Sequence, residues 1–545
     1  MQLEVGDGAA ASSSAADPAS RSEPPRVYIK GWRLYVVSFS LCLSLLLSTL
    51  ETTIVSTSLV SITNALGGFD QRDWVVTSYL LTYTGFLVIY AKFSDILGRK
   101  FMLLLALALF TVFSIVCGSI SSILQLIIFR AFQGVGASGI YAMATVMNPE
   151  LVPPEQWGTY IGIVSMVFVL SSVLGPILGG AINDHSSWRW VFLLNAPAGA
   201  VATALIAFIL PTHFPHQGNP ERQLRLRDKF SRASLARLDV VGALLLLASS
   251  ILLVFGFEEA GSRYPWSSPA VISALALGGA LFVAFVGWEK VVGAVHFVQE
   301  PIFPLRLMKS RQFVGMTIIA LLTGPPFMTV LINLPQRFQA VNGSSPFEAG
   351  IHLIPLLLCS PAATALSGLL ASKLNVPPFY LMFTGASLQV LGVGLASSAG
   401  VGDDRAMYGY EVVMGFGFGM SLITLLIYVP LAVDKSDMAV AMGSITQIRV
   451  LGGTIGLAIG STVLNNALSP RLAALLTPAE MQQIADSVGA IGALPAATRD
   501  AVRLAFCDAY NAQLRVMLYF SVVVWISTLL LWERRLRRAS DVEGY

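Results

Sequence analysis

Stretches of about twenty residues without a charged side chain recur from residue 34 to near the end of the chain, separated by short segments rich in Gly, Pro, Asn and charge. A run of that length, coiled as an α-helix, spans the roughly 30 Å of a bilayer's hydrocarbon core. The pattern predicts fourteen such helices, at about 34–56, 74–94, 101–120, 124–148, 157–182, 189–210, 239–257, 268–289, 313–333, 350–371, 377–398, 407–431, 438–463 and 513–532. An even count puts both termini on one side. With that side cytosolic, all eight lysines and fifteen arginines fall inside and nine arginines outside, the asymmetry that orients helical membrane proteins.

Composition removes the soluble alternatives. Of 545 residues 55% are hydrophobic and 12% charged, against about 25% charged in a soluble domain; mean hydropathy is +0.71. A net charge of +3 with no aqueous domain to carry it argues against nucleic acid as a partner. The four cysteines, Cys42, Cys117, Cys359 and Cys507, are far apart and have no metal-ligand spacing, so neither a disulfide nor a metal is expected. No cofactor motif stands in a usable context: Gly134, Gly136 and Gly139 have dinucleotide-loop spacing but lie in a predicted membrane helix with no strand before them.

The expected class is an all-α membrane protein of two six-helix pseudo-repeat bundles and an inserted central helix pair. In order, a disordered cytosolic tail without a cleaved signal (1–33) precedes the N-terminal bundle (34–210), a basic cytosolic loop (211–238) and the inserted pair (239–290). A cytosolic linker (291–312), the C-terminal bundle (313–532, with an extracellular segment at 464–512) and a basic cytosolic tail (533–545) follow. The repeat is visible in the inner turns. AKFSDILGRK follows the second span and GLLASKLN the tenth, with Gly368, Ser372 and Lys373 standing where Ala91, Asp95 and Ile96 stand. Thr477, Pro478 and Glu480 carry the cap, N1-proline and capping-box acid of a helix start in the long outer segment. Asn342 opens the sequon Asn342-Gly343-Ser344 and is the candidate N-glycosylation site.

Charges inside the spans are costly and therefore informative. Glu51 lies in the first span and Arg130 in the fourth, followed by Gln133. Glu51 is either a carboxylate near the outer water layer or a group that loads and releases a proton. Arg130 is either a buried cation held by backbone carbonyls or part of a polar site in a water-filled cavity. Asp95, Gly98, Arg99 and Lys100 occupy a tight turn that serves as positive-inside anchor or as a charge latch. Gly175, Pro176, Gly179 and Gly180 predict a kinked, closely packed fifth helix.

These stretches resemble the major facilitator superfamily. AKFSDILGRK is similar to its loop motif, with Ala91 and Ile96 as departures; FRAFQGVG is similar to the RxxQG motif of proton-coupled facilitators. LETTIVSTSLV is similar to the first-span motif of the fourteen-helix drug:proton antiporter branch, with Glu51 for aspartate. SSVLGPILGGAI is similar to the antiporter motif, with Ser171 for its first glycine, and WRWVFLLNAPAG and RVLGGTIG (with Arg449) also match the branch. The nearest likeness is to the fungal efflux pumps.

The resemblance implies a non-enzymatic, proton-coupled exporter of small amphipathic molecules such as drugs, toxins or secondary metabolites, working by alternating access. Glu51 and Arg130 would couple the proton, and Asp95, Gly98, Arg99 and Lys100 would form the inner gate. Gly175, Pro176, Gly179 and Gly180 would give antiport-specific packing, and Gln133 and Arg449 would face the cavity. The expected partners are the lipid bilayer, protons and the substrate, with the chain a monomer in the plasma membrane. The alternative is a vacuolar or plasma-membrane transporter of basic amino acids or iron chelates.

Overall fold

A computed structural model describes residues 28–67, 71–153, 157–212, 214, 231, 236–260, 264–294, 299, 301–303, 305–433, 438–486 and 488–538. The tail expected at 1–33 falls almost wholly outside these residues, as do most of the basic loop at 211–238 and the last seven residues of the chain.

Fourteen long helices follow one another among the described residues. They are α1 (Trp32–Leu66), α2 (Arg72–Leu97), α3 (Arg99–Ser119), α4 (Ile123–Leu151), α5 (Trp157–His185), α6 (Trp190–Ile209), α7 (Val240–Glu259) and α8 (Pro269–Ala294). The second set is α9 (Arg311–Asn342), α10 (Pro346–Ser372), α11 (Pro378–Ala396), α12 (Asp404–Ala432), α13 (Met438–Leu475) and α14 (Ala496–Leu531). Thirteen are long and apolar enough by composition to cross a membrane; α2, at 26 residues, is the other. Among the described residues there is no strand.

Burial is inverted relative to a soluble protein, as it must be when the solvent is hydrocarbon. Phe208, Met166 and Val283 are each at least 70% exposed, while Glu51, Gln133 and Glu411 are fully enclosed. Between the helices the seams are lined by small and hydroxylic side chains. On α1, Ser40, Ser44, Thr49, Ser58 and Thr63 each donate to a carbonyl four residues back in their own helix, which satisfies the hydroxyl and lets the neighbouring backbone approach.

The helices α1–α6 pack into one half and α9–α14 into the other, with contact between halves along α5·α10, α2·α13 and α1·α9. The pair α7–α8 docks on the flank of α2 and α13. Trp74 Nε1 on α2 donates to Glu259 Oε1 on α7 at 2.7 Å, and Thr462 on α13 donates to the Phe257 and Ala260 carbonyls at 3.0 and 3.1 Å. The other end of the pair is fixed by buried acids. Asp239 Oδ1 accepts from Gly242 N and Trp288 Nε1, both at 2.8 Å, and Glu289 Oε2 accepts from Phe303 N at 3.2 Å.

Two connections are shorter than the sequence predicts. The loop expected at 334–349 shrinks to three residues, because α9 continues through a π-helical turn (Phe338–Asn342) and a Ser345–Glu348 capping box starts α10. The segment expected outside at 464–512 is largely helical: α13 runs to Leu475, Pro478–Asp486 is a short helix, and α14 begins at Ala496. The Thr477–Glu480 box is formed, with Thr477 N donating to Glu480 Oε2 at 2.8 Å.

The repeated inner turns share their geometry. The sequence offset that aligns Ala91 with Gly368 places Asn375 on Gly98, and both take positive φ, 97° at Gly98 and 51° at Asn375. Asn375 is the one non-glycine to do so among the described residues. Asparagine tolerates this conformation better than other side-chain-bearing residues.

Candidate functional site

The two in-span charges of the first half meet. Arg130 and Glu51 are 1% and 0% exposed, and Arg130 Nη1 lies 2.6 Å from Glu51 Oε1. Neither charge would be tolerable alone in this setting; paired and hydrogen-bonded they are. The remaining valences are met by α2, α3, α4 and α6. Arg130 Nε donates to the Val75 carbonyl at 3.1 Å, Nη1 also donates to Gln133 Oε1 at 2.9 Å, and Gln133 Nε2 donates to Ser114 Oγ at 2.7 Å. Asn195 Nδ2 donates to Glu51 Oε2 at 2.6 Å.

An aromatic wall encloses the guanidinium. Its carbon sits 4.2 Å from the Tyr79 ring centroid and 5.7 Å from that of Phe192. A cation against the face of a desolvated ring gains up to about 2 kcal/mol. Tyr79 in turn donates its hydroxyl to the Ser48 carbonyl at 3.2 Å. The site is thus an enclosed, charge-balanced knot joining five helices, and protonation of Glu51 would remove its ion pair with Arg130.

This arrangement revises several expectations. Glu51 is fully enclosed by protein, and Arg130 is held by a carboxylate as well as by a backbone carbonyl. Gln133 does not face a central cavity: it is fully buried between α3 and α4, because its amide bridges Arg130 and Ser114. Asn195 was legible only as part of a motif, and its role depends on the break between the short turn Trp190–Leu193 and the helix Asn195–Ile209, which points the side chain inward. Tyr79, readable as part of an aromatic stripe on α2, is the floor of the site.

The α2–α3 turn is organised around Gly98, whose φ of 97° and ψ of 144° exclude most side chains. Arg99 reaches α4, with Nη2 and Nε at 2.9 and 3.2 Å from the Glu150 carboxylate, and also contacts Ser94 Oγ. Lys100 Nζ donates to the Ala207 and Leu210 carbonyls at 2.7 and 2.6 Å, closing the C-terminal end of α6. Asp95 lies on α2, and its side chain is outside the described residues. The Glu150 partner was not foreseen, since it comes from the far end of α4.

The α5 motif packs where its spacing suggests. A Cβ on Gly175 would collide with the Thr53 side chain, and one on Gly179 would come within 2.7 Å of the Ile54 carbonyl. Gly180 touches the second half: a Cβ there would stand 2.5 Å from Phe347 Cα, and one on Gly350 would be 2.8 Å from the Pro176 carbonyl. The two halves therefore close on each other at the Asn342 end. Arg449 lies on α13, which packs on α2 of the first half, and α2 carries part of the aromatic series Tyr79–Tyr83–Tyr141–Phe168. Asn342 is half-buried as the last residue of α9, with three residues between it and the start of α10. Among the described residues no group of His, Cys, Asp and Glu has the makings of a metal site.

The profile of the Major Facilitator Superfamily matches residues 41–457. The chain is 53% identical over 516 residues to the MFS-type transporter FPY5 of Fusarium mangiferae, covering 94% of this chain and 86% of that protein. It is 31% identical over 467 residues to the thioclapurine efflux transporter tcpA of Claviceps purpurea, covering 85% and 83%. Among solved structures it superposes on a bacterial homologue of the human lysosomal transporter Spinster, inward-facing and unoccupied, with a TM-score of 0.62 at 14% identity over 93% of this chain and all of that one. The xylose transporter XylE of E. coli gives 0.55 at 12% identity over 90% and 97%. With two packed six-helix halves, a profile match across both of them and these relatives, the chain belongs to the major facilitator superfamily and is a multi-pass integral membrane transporter whose relatives include fungal efflux pumps.

Proposed function

We propose that the protein exports small amphipathic molecules, drawing on proton entry and alternating access, with both termini cytosolic in the plasma membrane. The observation that carries this reading is the buried Glu51–Arg130–Asn195 knot. A carboxylate whose two oxygens are each committed to one donor is poised between two states. Ionised, it binds α1 to α4 and α6; protonated, it loses its ion pair and frees those helices to shift. Because the two states differ in helix packing, protonation can bias one conformation over the other, which is the requirement for coupling.

Two further features support the reading. Gly180 and Phe347 make a seam that parts as a unit if the halves rock, and Arg99–Glu150 ties the opposite end of the first half into one rigid piece. Arg449 lies on α13, which packs on α2 across the two halves, where a cargo would pass. The efflux names of the relatives favour export over uptake.

The test is transport of doxorubicin into inside-out membrane vesicles under an imposed pH gradient, wild type beside Glu51→Gln. Accumulation that follows the gradient and falls at least tenfold in the variant, while counterflow without a gradient stays within twofold of wild type, supports the proposal. Flux indifferent to both the gradient and Glu51 overturns the proton assignment, and flux of lysine or an iron chelate alone moves the assignment to the alternative cargo.

A further inference from the structure

The second half contains a buried acid that the Glu51–Arg130 knot does not use. Glu411 on α12 is fully enclosed, and neither of its carboxylate oxygens has a hydrogen-bond partner. Its position follows from the internal repeat. Arg130 is followed four and six residues on by Gly134 and Gly136, and Glu411 by Gly415 and Gly417. The four glycines make equivalent close approaches. Gly134 abuts the Tyr79 carbonyl on α2 and Gly415 the Leu356 carbonyl on α10; Gly136 abuts Phe110 N on α3 and Gly417 abuts Gln389 N on α11. The pseudo-repeat therefore seats a carboxyl in the second half where the first half seats a guanidinium.

We propose that Glu411 is a second proton-carrying carboxyl of the transport cycle, holding its proton in the conformation seen here and releasing it when α10 and α12 separate. The proposal rests on the proton-coupled reading above and adds a site to it. An ionised carboxylate with no cation paired to it is costly in such surroundings, so the group is neutral while it stays enclosed. Among the described residues no cation is paired with it. On α10 the titratable neighbours are Cys359, whose Cβ packs beside Gly415, and His352, which is bonded to Tyr408 of α12 and stacked on Phe338. From α9, Arg337 Nη2 donates to the Ala399 carbonyl at 2.9 Å and its two Nη groups contact the sulfurs of Met407 and Cys507, while its Nε has no hydrogen-bond partner. Gln389 on α11 donates to Ser521 at 3.0 Å, and the Leu356 main chain is the backbone group that acts on Glu411.

A titratable pair lies close by on the same two helices. His352 and Tyr408 are half-buried and lie one helical turn from Leu356 and Glu411 respectively, toward the Asn342 end. A small separation of α10 from α12 would join this pair to the carboxyl.

The experiment uses the full chain in proteoliposomes as wild type, Glu411→Gln and Glu51→Gln. Infrared difference spectra at neutral pH report the C=O band of a protonated carboxyl, doxorubicin accumulation under a pH gradient reports coupling, and counterflow without a gradient reports that the carrier is intact. The expected result for Glu411→Gln is loss of the band, at least a tenfold loss of gradient-driven accumulation, and counterflow within twofold of wild type. Any other combination for this variant overturns the proposal. Should Glu411→Gln not fold, Glu411→Asp is read instead: a shifted band with coupling retained supports the proposal, and an unshifted band sinks it. Gradient-driven accumulation undiminished in Glu51→Gln shows instead that the underlying proton reading has failed.

Discussion

Replacing Glu51 by glutamine leaves the Arg130 guanidinium, 1% exposed, without a counter-charge. It also turns an amide N–H₂ toward Asn195 Nδ2, which at present donates to Glu51 Oε2. Breaking one partner of a buried ion pair costs about 3–5 kcal/mol. At 1.4 kcal/mol per factor of ten, the folded-to-unfolded ratio should fall by roughly two to three and a half orders of magnitude. Arg130→Met should cost a similar amount, because it strands the carboxylate instead. Removing both charges together, as Glu51→Leu with Arg130→Met, abolishes the uncompensated charge and leaves only lost hydrogen bonds at Asn195, Gln133 and the Val75 carbonyl, at about 1–3 kcal/mol for each group stranded. The double variant should therefore be less damaged than the sum of the singles by at least about 2 kcal/mol. Reversible unfolding of the purified protein in detergent, with Glu51→Leu and Arg130→Met as the singles, measures this coupling directly. Losses that add within about 0.5 kcal/mol would show that the two groups do not compensate each other, and the account of the knot would be wrong.

Other consequences are as specific. Gly175→Ala drives a methyl into Thr53 and should destabilise by about 1–3 kcal/mol, with part of the loss recovered by adding Thr53→Ala; thermal unfolding of the three variants checks the order. Gly180→Ala instead wedges Phe347 at the seam between halves, so it should shift the closure equilibrium, seen as altered cross-linking between cysteines placed on α5 and α10, while changing the unfolding midpoint little. Gly98→Ala forces a side chain into a φ of 97° and should cost about 1–2 kcal/mol, whereas Asn375→Gly should be neutral or mildly stabilising, by unfolding under the same conditions. Hydrogen bonds from the Thr477 main chain and then its hydroxyl hold the exposed Glu480 carboxyl below its ordinary value of 4.5. The cap's contribution is complete above that value and lost as pH falls through the lowered one, so amide exchange at the start of the Pro478–Asp486 helix should accelerate only in acid and be insensitive to acid in Glu480→Gln.

Much of the architecture was written in the chain. Whether twenty residues enter a bilayer is decided by the summed transfer free energy of that segment, a local quantity, and so all fourteen helices and the lateness of the second set could be read from runs without charge. The Gly98 turn and its repeat partner were legible for the same reason, since φ preference belongs to the residue. The helix starts at Thr477 and Ser345 carry equal local signatures, a cap, a proline and an acid three residues on, and both boxes form.

Which charges meet was not a local question. Glu51 and Arg130 are 79 residues apart, and only the crossing of α1 over α4 brings them to 2.6 Å. The same crossing turns Gln133 inward and brings in Asn195 through the break at Leu194, neither of which composition or spacing specifies. Arg99 reached Glu150 of α4, and Gly180 found Phe347 in the other half, because close-packed helices present particular faces at particular depths. The sequence by itself determined that charges would be buried in this membrane protein and where along each helix they lie. The tertiary structure alone decided which of them are paired and which, like Glu411, are left without a partner, since pairing depends on distances between helices that no single segment encodes.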